Sequence, residues 1–161
     1  MDDEKTWRHL QKGHGVGVFQ FESPFMRRIL SASKPETIED LSALNALGRP
    51  GPLDARMTIP DEDINFLPSG DLPPYLKGKF RNDKRSLNMI EVYVARKQGE
   101  LKITYIHPRI EPILRNTWGV IIFQEQVMRL AVELAGFTPS ASDNLRSVLG
   151  KKKIDKIGAE E

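Results

Sequence analysis

A mainly α-helical fold with a few short strands is what this 161-residue sequence predicts. Three observations carry the prediction. Apolar residues recur at three- and four-residue spacing behind helix-capping residues, as after Ser23 and Thr37. The β-branched and aromatic runs, such as Val120-Ile121-Ile122-Phe123, are long enough only for isolated strands. Glycine and proline gather mostly at the ends of these segments and between them, so they act as punctuation.

The first helix is predicted from about Asp3 to Lys12, with acidic residues at the positive end of its dipole. Gly13, Gly15 and Gly17 end it, and Val16, Val18, Phe19 and Phe21 then read as a short buried strand or extended segment. Ser23 caps a second helix with Pro24 in its first turn. Phe25, Met26, Ile29 and Leu30 share one face of it, and Arg27 and Arg28 lie off that face. Thr37-Ile38-Glu39-Asp40 opens a third helix through a capping box with Asp in place of Glu or Gln. Its apolar positions are Ile38, Leu41, Leu44 and Leu47.

Gly48-Arg49-Pro50-Gly51-Pro52 stops that helix. Each proline fixes φ and pushes the preceding residue out of the α region, so the turn is stiff and presents Arg49 from a rigid frame. Residues 53–85 follow without periodicity, rich in Pro, Gly and Asp, and read as an insertion or long loop. Leu87, Ile90 and Val94 mark a helix from Ser86 to about Gly99. Lys102 to Ile106 reads as a strand, and Pro108 to Leu114 as a short helix.

The stretch from Trp118 to Phe123 reads as a strand that becomes a helix at Gln124. The inner face of that helix is predicted to be Gln124, Val127, Leu130, Ala131 and Leu134. Glu125, Arg129 and Glu133 form an i, i+4 ladder beside it. A last helix is predicted from a second variant capping box, Ser140-Ala141-Ser142-Asp143. It would bury Leu145, Val148 and Leu149 and end at Gly150, ahead of Lys151, Lys152 and Lys153.

Composition narrows the class of protein. With 39% hydrophobic and 29% charged residues the chain suits a soluble globular protein. No window approaches the ~18 unbroken apolar residues of a membrane helix. Met1-Asp2-Asp3-Glu4 is acidic where a secretory signal needs positive charge, so cytoplasmic residence is expected and no membrane partner is. Absence of cysteine excludes disulfides and thiolate metal sites. His9, His14 and His107 are scattered, so no metal site is expected. Net charge is only +2, but basic residues gather at Arg27-Arg28, Lys77 to Arg85 and Lys151 to Lys153. Such clusters bind phosphates or are simply solvated faces.

Gln124-Glu125-Gln126 stands out because two amides and a carboxylate sit where an apolar run becomes a helix. In one reading the amides satisfy free backbone groups at the junction, and Glu125 is a first-turn residue paired with Arg129. In the other, Glu125 orients a basic residue toward phosphate.

Four blocks, in this order, resemble one family: GVFQFES (Gly17 to Ser23), SALNALGRPGPL (Ser42 to Leu53), GVIIFQEQVM (Gly119 to Met128) and DNLRSVLGKKK (Asp143 to Lys153). Weaker matching continues at Arg96-Lys97-Gln98-Gly99 and His107-Pro108. The chain resembles the C-family replicative DNA polymerases of bacteria, of DNA polymerase III α-subunit type. The resemblance covers about four fifths of the sequence and leaves out Leu53 to Arg85.

The resemblance implies that residues 1–161 form one domain of fingers type, the helical part that closes over the incoming nucleotide. It implies a DNA-directed DNA polymerase as the parent enzyme. Primer–template DNA and dNTP would be its partners, Mg²⁺ its cofactor, and a sliding clamp and other replicase subunits would bind through other regions. The palm carboxylates of the family precede the GVFQFES block and are expected outside this chain, which alone is expected to be inactive. A non-catalytic nucleic-acid-binding or interaction module derived from such a polymerase is the alternative.

Site residues follow from the same likeness. A pair of arginines ahead of Gly-Lys-Lys contacts the triphosphate in the family. Arg146 matches the first, whereas Ser147 stands in place of the second. Lys151 and Lys152 are candidate phosphate ligands, or else ordinary charges at a helix end. Arg49 is a candidate nucleotide or nucleic-acid contact, or else a residue that ties loops together. Gln124, Glu125 and Gln126 would support the site. Finally, Pro60-Asp61-Glu62-Asp63-Ile64-Asn65-Phe66 imitates the family's palm motif. On a strand, Asp61 and Asp63 would point to one face and could hold two metal ions. The motif nevertheless falls after RPGPL, far from its family position, and coincidence within an acidic loop is the preferred reading.

Overall fold

The computed structural model describes residues 3–80 and 85–150, with the side chains of the last helix described as far as Leu145. Backbone contacts gather into two compact units, Met1–Thr104 and Tyr105–Glu161, and each is taken by itself.

In the first unit, α1 (Glu4–Gln11), α2 (Pro24–Ser33), α3 (Ile38–Leu47), α4 (Pro50–Asp54), α5 (Pro74–Lys77) and α6 (Met89–Lys97) are the helices. The cap signals act as expected. Ser23 Oγ accepts from Met26 N at 3.2 Å, with Pro24 in the first turn. Thr37 Oγ1 accepts from Asp40 N while Asp40 Oδ2 accepts from Thr37 N, a closed capping box.

Helix α6 is the centre of the unit. Ile90, Val92, Tyr93, Val94, Ala95 and Arg96 are all buried, so the helix is enclosed on every side rather than amphipathic. Helices α2, α3 and α4 pack against it, α2 supplying Leu30 and α3 Leu44 and Leu47 to the core. Each such buried side chain contributes about 1.5–3 kcal/mol. Asp40 of α3 and Lys97 of α6 form a buried ion pair through this packing.

Residues 14–22 are not a buried strand. They form a series of turns in which Val16 is 76% and Phe19 84% exposed, and only Phe21 enters the core. Glycine sets this path, because Gly13 sits at φ +76°, a region that turns the chain rather than extends it.

Residues 53–80 are more ordered than their composition predicts. Strand β1 (Arg56–Thr58) pairs antiparallel with β2 (Ser86–Asn88), with Met57 opposite Leu87, so the two ends of the segment lie side by side. Helix α6 consequently starts at Met89 and not at Ser86. Asn88 caps it through a reciprocal pair of bonds with Glu91.

Inside the segment, Ile59, Ile64 and Leu76 are buried. Residues 99–102 stitch it down. Glu100 accepts from the backbone N–H groups of Tyr75 and Leu76, each at 3.1 Å, and so caps α5. Asn65 Nδ2 donates to Gly99 O, Lys102 N donates to Asp63 O, and Leu101 bridges Ile64. That bridge is all the pairing found near the strand expected at Lys102 to Ile106, where Ile103 and Ile106 are exposed.

The second unit contains a 3₁₀ turn (Pro108–Ile110), α7 (Glu111–Leu114), a second 3₁₀ turn (Arg115–Thr117), α8 (Gln124–Ala135) and α9 (Pro139–Gly150). Ile110, Ile113 and Leu114 are its buried cluster, with Tyr105 and Leu130 packed on them. The strand expected from Trp118 to Phe123 is absent. Trp118 and Gly119 take φ of 53° and 75°, both left-handed, and their N–H groups donate back to Arg115 O and Leu114 O. Two consecutive left-handed residues turn the chain, which a strand cannot do.

Gly136, at φ 68°, ends α8. Helix α9 then begins at Pro139, ahead of the expected cap at Ser140. Thr138 Oγ1 accepts from Ala141 N at 3.2 Å, and Pro139 takes the first helical position. Among the described residues, pairing of successive strand residues is confined to β1 and β2, and the architecture is mainly α.

Candidate functional site

The Gln-Glu-Gln junction resolves into one buried residue and two exposed ones. Gln126 is 7% exposed and uses both ends of its amide. Its Oε1 accepts from Ile122 N at 2.8 Å and Phe123 N at 3.0 Å. Its Nε2 donates to Thr117 Oγ1 at 2.8 Å and Ile113 O at 3.3 Å. As the third helical residue it serves the backbone N–H of Phe123, which as N-cap has no side-chain oxygen to return the bond.

These four bonds tie the start of α8 to α7 and the turn after it. They also hold two backbone donors that would each cost about 1–3 kcal/mol if left unpaired in the interior. Thr117 is itself oriented, since its Oγ1 donates to Leu114 O.

The inner face of α8 is therefore rotated from the predicted one. Gln124 is exposed, not inward, and Leu134 is 45% exposed. Val127, Met128, Leu130 and Ala131 are half-buried, beside the buried Gln126. Gln126 faces inward, where its amide makes four hydrogen bonds.

Glu125 is exposed. With Arg129 and Glu133 it borders a groove whose apolar part comes from Met128, Val132 and Pro139, closed by Ser142. Among the described residues no ion pair closes between Glu125, Arg129 and Glu133. Helix α9 packs on α8, and Arg146 belongs to α9. Arg146 therefore lies on a described helix although its side chain does not fall among the described ones. Lys151 and Lys152 lie outside the described residues, as does Lys153.

The remaining candidates belong to the first unit. Arg49 is exposed and extended, at φ −89° and ψ 157°, and is the N-cap of α4 without a side-chain cap bond. The proline-rich turn thus presents its guanidinium from the surface. Asp61 and Asp63 occupy a 3₁₀ turn (Asp61–Asp63), not a strand. At three residues per turn, positions i and i+2 face different directions, so the shared face that a strand would give them is lost. Asp61 is engaged by Arg85 in an ion pair. Among the described residues no three His, Cys, Asp or Glu side chains come together as metal ligands. No helix among them is long and apolar enough to cross a membrane.

The partners of these residues were not legible in sequence. Thr117 and Ile113 reach Gln126 only because the left-handed turn at Trp118-Gly119 folds α8 back toward α7. One signal for the buried ion pair is that Lys97 lies one helical turn from Tyr93 on the largely buried α6.

The profile of the bacterial DNA polymerase III alpha subunit finger domain matches residues 1–61 and 77–161, passing over 62–76. The chain is 37% identical over 161 residues to a DNA polymerase III subunit alpha of Halalkalibacterium halodurans, covering all of this chain and 11% of that protein. A DNA polymerase III subunit alpha of Rickettsia bellii is 41% identical over 151 residues, 94% of this chain and 10% of its own length. An error-prone DNA polymerase of Symbiobacterium thermophilum is 37% identical over 160 residues, 97% of this chain and 12% of that protein. The chain thus spans about a tenth of the length of these relatives.

Proposed function

From the premise that the chain belongs to the bacterial DNA polymerase III alpha subunit finger domain family, we propose that it serves as the fingers segment of a replicative DNA-directed DNA polymerase. In that role it binds the triphosphate of the incoming dNTP and contacts primer–template DNA. The observation that carries this reading is the Gln126 network. It fixes the start of α8 on the unit's core, and α9, which bears Arg146, packs on α8. An arginine that neutralises charge developing on a triphosphate needs such a preorganised base. Arg49, Lys151 and Lys152 would add contacts to phosphate.

On this reading nucleotidyl transfer draws on Mg²⁺ held by carboxylates elsewhere in the enzyme. A sliding clamp and other replicase subunits would bind through further regions, and the enzyme would work in the cytoplasm. Ser147, standing where the family has its second arginine, favours a second reading, a non-catalytic nucleic-acid-binding module.

Exchange of this chain for the matching stretch of the Halalkalibacterium halodurans subunit decides between them. Single-turnover incorporation is measured against dNTP concentration, with thermal melting as the folding control. The proposal expects an active exchange enzyme in which Arg146→Ala weakens dNTP use by about 10–150-fold, the equivalent of about 1.5–3 kcal/mol for a charge-assisted bond. A well-folded Arg146→Ala enzyme with unchanged dNTP dependence and rate overturns it.

A further inference from the structure

Lys12, Arg27 and Arg28 line a single groove with Gly13, Pro24 and Ser31, between the end of α1 and the first turns of α2. Among the described residues no carboxylate borders it. Among the described residues none of the three cations has an ion-pair partner. Arg27 is fixed rather than free, because its Nε donates to Gly13 O at 3.0 Å. The lock works in both directions: a Cβ on Gly13 would stand 2.8 Å from Arg27 O, and φ of +76° further excludes one. One edge of the guanidinium is thereby committed to the backbone, which holds the group in place while its terminal nitrogens are left for a ligand.

Three like charges gathered on one groove repel each other, and an anion that enters relieves the repulsion. We propose that this groove binds the sugar–phosphate backbone of a nucleic-acid strand. A strand fits better than the triphosphate of a nucleotide. Lys12, Arg27 and Arg28 are all exposed, so the groove is wet and open along its length. Backbone binding by counterion release needs only such a surface, whereas triphosphate chemistry needs a drier, enclosed one. The inference rests on the polymerase reading for its choice of nucleic acid as the polyanion, but on different residues from those that test that reading.

The experiment is equilibrium binding of the 161-residue chain to a fluorescent 30-nucleotide single strand across a range of salt concentrations. Replacing Lys12, Arg27 and Arg28 together by Ala should lower the slope of log affinity against log salt by about 2, at about 0.7 per phosphate contact. Loss of Arg27 also removes the bond to Gly13, so Lys12→Gln with Arg28→Gln is the safer variant. It keeps that bond and should lower the slope by about 1.4. Arg8→Ala, on the solvent-exposed side of α1 and paired with Glu4, should leave the slope unchanged.

A wild-type slope in the folded double variant overturns the proposal, as does a wild-type chain without salt-dependent binding. Displacement of the strand by equimolar dATP, with dATP binding lost in the double variant, would make the groove a nucleotide site and also overturn it. None of these outcomes touches the Arg146 result in the exchange enzyme, so the two readings stand or fall separately.

Discussion

Lys97 Nζ lies 2.6 Å from Asp40 Oδ2, and both side chains are only 8% exposed. Asp40 Oδ2 also accepts from Glu36 N at 2.9 Å and Thr37 N at 3.2 Å, while its Oδ1 accepts from Tyr93 OH at 2.8 Å. One carboxylate thus closes a capping box and joins α3 to the central helix α6. Removing one partner of such a pair leaves the other charged and buried, at a cost of about 3–5 kcal/mol. Asp40→Ala and Lys97→Ala should each destabilise by about that much. In a double-mutant cycle the two losses should be far from additive, which denaturant unfolding can read.

The same pair predicts a dependence on pH. Burial alone would raise the Asp40 pKa. The Lys97 bond, the Glu36 N–H, the Tyr93 hydroxyl and the Lys97 charge together outweigh it and hold the carboxyl below its ordinary 3.8. A folded pKa below the unfolded one stabilises fully above the unfolded value, and that stabilisation is lost as pH falls through the folded one. The stability gap between wild type and Asp40→Asn should therefore be constant near neutrality and shrink below about pH 4. A gap that widens on acidification would refute the assignment.

Gln126 should tolerate no substitute. Gln126→Leu keeps the volume but abandons the N–H groups of Ile122 and Phe123, and should cost about 2–4 kcal/mol. Gln126→Glu offers the same acceptor to those groups but loses the donors to Thr117 and Ile113 and adds a buried charge. It should destabilise more at pH 7 than at pH 4, where a carboxyl proton can replace one lost donor. Melting curves of both variants at the two pH values test this.

Among the described residues between β1 and β2, one stretch should be the most open to protease. Residues 65–71 are all exposed, whereas Ile59, Ile64 and Leu76 are anchored in the core. Limited proteolysis is expected to cut within 65–71 first. Glu100→Ala, which uncaps α5, should speed that cut several-fold and extend it toward Leu76 without unfolding α6.

The isolated chain should not extend a primer with Mg²⁺ and dNTPs. Two-metal transfer needs a fixed set of carboxylates, and Asp61 and Asp63 sit on a tight turn with Asp61 engaged by Arg85. Incorporation above a no-protein control that Asp63→Asn abolishes would show the opposite.

Short-range physics was legible in the sequence alone. Ser23-Pro24, Thr37 to Asp40 and the spacing of Leu41, Leu44 and Leu47 specify helices because caps and amphipathic faces depend on neighbours three or four residues away. The family blocks were legible for the same reason, being contiguous. The groove cations Arg27 and Arg28 were visible as a pair, but not their convergence with Lys12 across the left-handed turn at Gly13. Strand readings at Val16 to Phe21 and Trp118 to Phe123 failed because hydrophobic content was decisive there only in the absence of turn geometry. Consecutive left-handed residues at Trp118 and Gly119 are decided by what they dock against. Which member of Gln124-Glu125-Gln126 turns inward, where Asp40 finds Lys97, and how Glu100 holds a segment of low periodicity are all contacts across long stretches of chain. Only tertiary structure settles those, because a buried polar group takes the orientation that satisfies its hydrogen bonds, and its partners are distant in sequence.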